Sequence, residues 1–166
     1  MSRFLCVLFF IAAGFSFAQA QTSKAPKFAE YPAKVEKQRI HSINFKKDPT
    51  FSDYKTRISR ALREGVNFAG RYILTGWGCG TGCTNALIID ARTGKIFTPA
   101  ELSNVDATYG DEYSEVQLEF RKNSRLLIIH GRPGTDDENA KLPPPGDHYY
   151  EWKDGRLRHI SSVEKK

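Results

Sequence analysis

After residue 20 the chain holds no apolar run near the length of about 20 residues that a membrane-spanning helix needs, so none is expected there. Histidine is scarce. His41, His130, His148 and His159 lie far apart, without the short paired spacing of zinc ligands, and no metal site follows from them. His130 and His159 read as sheet positions, and His148, in a loop beside aromatic residues, as the most exposed of the four. No cofactor is expected, and no catalytic residue is assigned. Charge of one sign is not gathered into a tract: 25 Lys and Arg against 19 Asp and Glu are spread along the chain. No nucleic-acid motif appears. The two acidic stretches, 101–114 and 132–149, lack the regular spacing of an EF-hand and read as solvated surface loops. Nor is there a strict internal repeat.

What is present begins at the N-terminus. Arg3, the apolar stretch from Phe4 to Ala13 and the small residues of Ala18-Gln19-Ala20 form a secretory signal peptide over residues 1–20, with cleavage expected after Ala20. Cys6 lies inside the apolar stretch, so a lipoprotein is not expected. Cleavage leaves residues 21–166, a usual size for one domain. It also removes Cys6, and the two cysteines left, Cys79 and Cys83, favour a disulfide in an oxidising compartment, the periplasm or the exterior. The remaining chain is basic. That suits a partner with an acidic surface, such as wall glycan, lipid headgroups or an acidic protein, or simply a soluble basic surface.

In chain order, residues 21–33 read as a flexible N-terminal arm and 34–166 as a single β-rich domain. Val35 to Phe45 reads as an imperfect edge strand. Asp48-Pro49-Thr50 announces a helix, and Tyr54, Ile58, Ala61 and Leu62 follow on one helical face before Gly65 ends it. Antiparallel hairpins then succeed one another: 88–97 around a Thr-Gly corner, 116–129 around Lys122-Asn123-Ser124, and 149–160 around Asp154-Gly155. The expected fold is mainly β. It is a meander of hairpins, either propeller-blade-like or a curled sheet or sandwich, with one N-terminal α-helix.

The stretch from Asn67 to Asp90 is the centre of the chain. It reads as strand, glycine-rich loop, strand. Fully extended, Cys79 and Cys83 would stand about 13 Å apart, whereas a disulfide needs Cα atoms within about 7 Å. The chain must turn back, and Gly80 and Gly82 allow it. The candidate binding residues are Arg71, Trp77, Gly78, Gly80, Thr81 and Gly82, with Cys79 and Cys83 as the staple. Such a loop can form an anion-binding nest aided by Arg71 or Arg132, or insert into a partner's cleft as a pre-organised key. A redox pair is the weaker reading, because the spacing is C-x-x-x-C rather than C-x-x-C. A plain structural hairpin with Trp77 in the core is equally open, as is Trp77 as a carbohydrate platform.

The strings Phe68-Ala69-Gly70-Arg71-Tyr72 and Trp77-Gly78-Cys79-Gly80-Thr81-Gly82-Cys83, followed by the hairpin from Ile88 to Lys95, resemble a family of small exported bacterial proteins. The likeness covers residues 67–97. It implies a periplasmic β-rich domain and carries no activity, so no catalytic residue transfers. A looser similarity of size and compartment to lysozyme inhibitors and immunity proteins shares no motif. The expected function is an exported binding module that recognises an envelope protein or a cell-wall component through the stapled loop. The alternatives are a cell-envelope hydrolase using His148 or His130 with loop acids, and a purely structural envelope protein. A hydrolase would gather the loop, a histidine and a carboxylate around one cleft; a binding module would leave the loop protruding.

Overall fold

A computed structural model describes residues 24–46, 49–106, 108–109, 112–113, 117–135, 137 and 139–165. The expected signal peptide, its cleavage point and the capping Asp48 lie outside these residues. A 3₁₀ turn, Pro49–Tyr54, leads into helix α1, Lys55–Glu64. Its apolar spacing buries Ile58, Ala61 and Leu62, and Gly65 closes it in a positive-φ conformation with its N–H on the Ala61 carbonyl.

Strands β1 (Tyr72–Gly80), β2 (Cys83–Asp90), β3 (Ile96–Phe97) and β4 (Val105–Asp106) form one sheet, in which β2 pairs with the other three. A separate small ribbon joins β5 (Thr108–Tyr109) and β6 (Glu112–Tyr113). Strands β7 (Leu118–Phe120), β8 (Leu126–Gly131), β9 (Gly146–Lys153) and β10 (Arg156–Glu164) form the second four-stranded sheet, in the order β10-β9-β8-β7. All pairings are antiparallel. The fold is thus mainly β with one helix, as expected. Among the described residues it is a curled two-sheet sandwich with no closed barrel.

The layers follow from which faces are apolar. Phe68, Leu74, Ala86, Ile88, Leu127, Ile129, Tyr150 and Trp152 form the core between the sheets. On the outer face of the first sheet, Ile58, Ala61 and Leu62 of α1 pack on Ile73, Leu87 and Ile89. Strand β2 is therefore covered on both faces, which is why Ala86-Leu87-Ile88-Ile89 is a continuous apolar run rather than an alternating one. On the outer face of the second sheet, Leu126, Ile128 and Tyr149 are covered by Phe28, Tyr31 and Ile160.

That last contact changes the reading of the N-terminal arm. Over residues 28–33 it is docked, not loose. The buried Ser124 hydroxyl lies 2.9 Å from the Phe28 carbonyl and 3.0 Å from that of Tyr31, and the Ala33 N–H donates to Asn123. Two aromatic side chains with apolar surface to bury supply the reason. Val35 to Phe45, expected as an edge strand, forms none. Its backbone is tied to residues flanking the strands by the N–H groups of Glu36, on the Gly70 carbonyl, and of Arg39 and Ile40, on that of Ala91, while Ile43 and Phe45 pack on the core beneath α1. The stretch after Pro99 is not all solvated loop either, since Leu102 and Val105 are fully buried and β4 joins the sheet.

Phe68-Ala69-Gly70-Arg71-Tyr72 proves to be a joint. Phe68 and Tyr72 exchange backbone hydrogen bonds, while the N–H groups of Ala69 and Gly70 donate to Ser124 and Lys122 and so tie the two sheets together. Gly70 has φ 81°, and a Cβ there would meet the Lys34 carbonyl oxygen at 2.2 Å. Only glycine fits.

Candidate functional site

The β1–β2 hairpin ends in the stapled tip. The pairing runs in register from Tyr72–Asp90 to Gly78–Thr84, slips by one residue, and closes at Gly80–Cys83. The slip is a bulge, which twists the last turn of the ribbon. Cys79 and Cys83 are disulfide-bonded with Cα atoms 5.1 Å apart. Gly78, Cys79, Gly80 and Thr81 are exposed at the tip. Gly82 is buried at φ 68°, so it shapes the turn and does not face outward.

Trp77 sits at the base of the tip and is half-buried. Its ring lies 4.4 Å from that of Tyr54, centroid to centroid, which anchors it to the segment entering α1. Together they line a cavity of about 440 Å³ that also takes in Phe51, Asn85, Ser103 and Asn104. Asn85 accepts the Asn104 N–H at 2.7 Å, and Asn104 holds a positive φ of 53°. The tip, an aromatic pair and two amides thus lie on one side of the molecule. The cavity is within the range of about 300–1,000 Å³ typical of small-ligand sites.

Arg71 is not part of this group. It stands just before β1, at the end of the strand opposite the tip, about 25 Å away at the usual rise per residue. There its guanidinium lies 3.2 Å from Asp90 and donates to the Tyr72 hydroxyl at 3.0 Å. The arginine near the tip is Arg132. Its backbone pairs with Asp106, which in turn pairs with Cys83, two strand spacings or about 10 Å across the sheet.

The histidines do not gather at the tip. His148, read as the most exposed, is 2% accessible. Its Nε2–H donates to the Pro144 carbonyl at 3.0 Å, which leaves Nδ1 to accept from the Ser162 hydroxyl at 2.8 Å. Burial pushes the imidazole below its ordinary pKa, against the opposing pull of the Pro144 carbonyl. The exposed His159 reaches the same hydroxyl from its own strand, because a bulge between His159 and Ser161 turns both side chains to one face. His130 lies on the outer face of the second sheet, 2.7 Å from Asp147 and 3.6 Å from Glu119. Burial alone would raise the Asp147 carboxyl. Hydrogen bonds from Lys165 and His130 outweigh it and hold the group below its ordinary value. Among the described residues no cluster of three or more His, Cys, Asp or Glu is placed to hold a metal ion.

Sequence reasoning missed Tyr54, Asn85 and Asn104 as neighbours of Trp77. The hydroxyl ring and the two amides come from three separate segments, and nothing local marks their convergence. The class these features define is a β-sandwich with a disulfide-capped hairpin beside an aromatic-lined cavity. In comparisons with protein-family profiles, curated proteins and solved structures, the chain finds no match.

Proposed function

We propose that this protein is an exported binding module that recognises an envelope protein or a cell-wall component through the tip from Trp77 to Cys83. The observation that carries the reading is the exposed, covalently closed turn Gly78–Thr81 standing beside the cavity of Trp77 and Tyr54. A short ring has little conformational entropy left to lose on binding, so its contacts convert to affinity more fully than those of an open loop. Aromatic surface next to amide groups suits either a sugar ring or a partner's side chain. The disulfide accords with an oxidising compartment. So does the expected signal peptide, and the likeness to small exported bacterial proteins is part of the same proposal.

The test is capture from envelope extract by the protein and by a Trp77→Ala, Cys79→Ser, Cys83→Ser variant whose fold is verified by circular dichroism. A partner retained by the protein and lost by the folded variant supports the reading. Equal capture by both sinks it and leaves the tip as a structural staple.

A further inference from the structure

A cleft of about 750 Å³ lies at the other end of β1, between the two sheets and the docked N-terminal segment. Its floor is aromatic. Tyr72, Phe97 and Trp152 meet edge-on, with ring centroids 5.3–6.3 Å apart, and Tyr72 and Phe97 keep part of their surface open to the cleft. Gly155, in the β9–β10 turn, is close-packed on this floor; a Cβ there would meet the Phe97 ring at 2.8 Å.

The charges around the cleft are unequal in their commitments. Each of its four carboxylates has an arginine: Asp90 has Arg71 at 3.2 Å, Glu151 has Arg125 at 2.9 Å, Glu36 has Arg92 at 3.3 Å, and Asp154 has Arg158. Arg92 and Arg158 stand outside the lining, so they neutralise two wall carboxylates from behind. Lys34, Lys95 and Lys153 also line the cleft, and no carboxylate among the described residues lies within ion-pair distance of any of them. The Lys95 amino group sits over the Phe97 ring at 4.7 Å, at the edge of the aromatic floor. The cleft is therefore net positive.

We propose that this cleft is a second binding site, for a monoanionic sugar: a pyranose ring bearing one carboxylate. The partly buried rings of Tyr72 and Phe97 offer apolar surface to the flank of a pyranose, with the Arg71 guanidinium 5.1 Å from one ring centroid and the Lys95 amino group 4.7 Å from the other, so that cations border the aromatic floor. The free lysines, Lys95 foremost, meet the carboxylate. The arginine-paired carboxylates of Glu36 and Glu151 remain able to accept hydroxyl hydrogen bonds while repelling a second negative charge on the ligand. Asp90 acts as a positioning residue. One of its oxygens takes the Arg92 N–H at 2.8 Å and the other holds the Arg71 guanidinium. The proposal uses no residue of the hairpin tip, and either site can fail without the other.

The experiment is a ¹⁵N–¹H titration of the protein with D-glucuronate, with glucose and acetate as separate controls and a Lys34→Gln, Lys95→Gln variant beside it. Both lysines belong to exposed or half-exposed wall, so the variant keeps the fold. Expected are saturable shifts at the amides of residues 34, 72, 95 and 97 with glucuronate. Binding should be about tenfold weaker for glucose and for the variant, the effect of losing about 1.4 kcal/mol. Raised salt should weaken glucuronate alone. Equal response to glucose overturns the anionic requirement. The same shifts from acetate overturn the sugar, and shifts elsewhere, or none, overturn the site.

Discussion

Removing the staple separates a recognition tip from a structural one. The ring spans Cys79 to Cys83, a sequence separation of 4. Closing so short a loop restricts the unfolded chain only modestly, and the chain-entropy relation gives about 2 kcal/mol at 25 °C. The native state has little else at stake there. Gly78 to Thr81 are exposed, while the apolar anchors of the hairpin, Leu74, Ala86 and Ile88, lie further down the ribbon in the shared core. The Cys79→Ser, Cys83→Ser variant is therefore expected to lose about 2 kcal/mol, or about 4–8 °C in Tm for a domain of this size. Urea unfolding followed by fluorescence of the two tryptophans measures it. The midpoint should fall while the slope m stays constant, since the surface exposed on unfolding hardly changes. A loss above about 4 kcal/mol, or a changed m, would refute the reasoning. The ring would then be holding the sheet together, not presenting a tip.

Other consequences follow from the same packing. Gly70→Ala should cost more than about 2 kcal/mol, because it combines a positive φ with a backbone collision, and should release the N-terminal segment to proteolysis near Lys34; unchanged protease resistance speaks against the docked arm. Ile58→Ala opens a cavity under α1 and should cost about 2–5 kcal/mol in urea unfolding; a cost under 1 kcal/mol would mean the helix is dispensable cover. Stability should also fall with acid in two stages. His148 is held neutral by burial, so the unfolded chain takes up its proton near pH 6.5 and the folded chain only at lower pH. Its contribution is complete above about pH 6.5 and declines below it, by at most about 1.4 kcal/mol per pH unit. Asp147, held below its ordinary value, adds a further loss only below about pH 4. Stability that is flat from pH 7 to 5, or a His148→Gln variant with an unchanged slope, contradicts the assignment.

Much of the fold is legible in the residues. The spacing of Ile58, Ala61 and Leu62 marks the helix face, and Gly65 its end. Asp154-Gly155 does form the corner of a hairpin, both residues adopting positive φ. Gly80 and Gly82 announce the closed tip. What stayed hidden depends on partners distant in sequence. His148 looks exposed because it falls in a long polar loop beside aromatic residues, yet the pairing of β9 with β10 brings Ser162 across to satisfy it. The aromatic residues of the arm look incidental until Leu126, Ile128 and Tyr149 offer them a face. Arg71 looks like a neighbour of the tip because only a few residues intervene. A strand is extended, however, so those residues carry it to the far end of the sheet, where it meets Asp90. Proximity in sequence misleads most along a β-strand.

The measurement that bears most directly on the recognition tip is photo-crosslinking in envelope extract from a benzoylphenylalanine placed at Thr81, with the same group at the exposed Val163 of β10 as control. The account predicts one dominant adduct from position 81, absent from position 163, and lost when the disulfide is reduced while circular dichroism shows the sheets intact. Adducts that are the same from both positions, or that survive reduction unchanged, would show that the closed tip selects nothing.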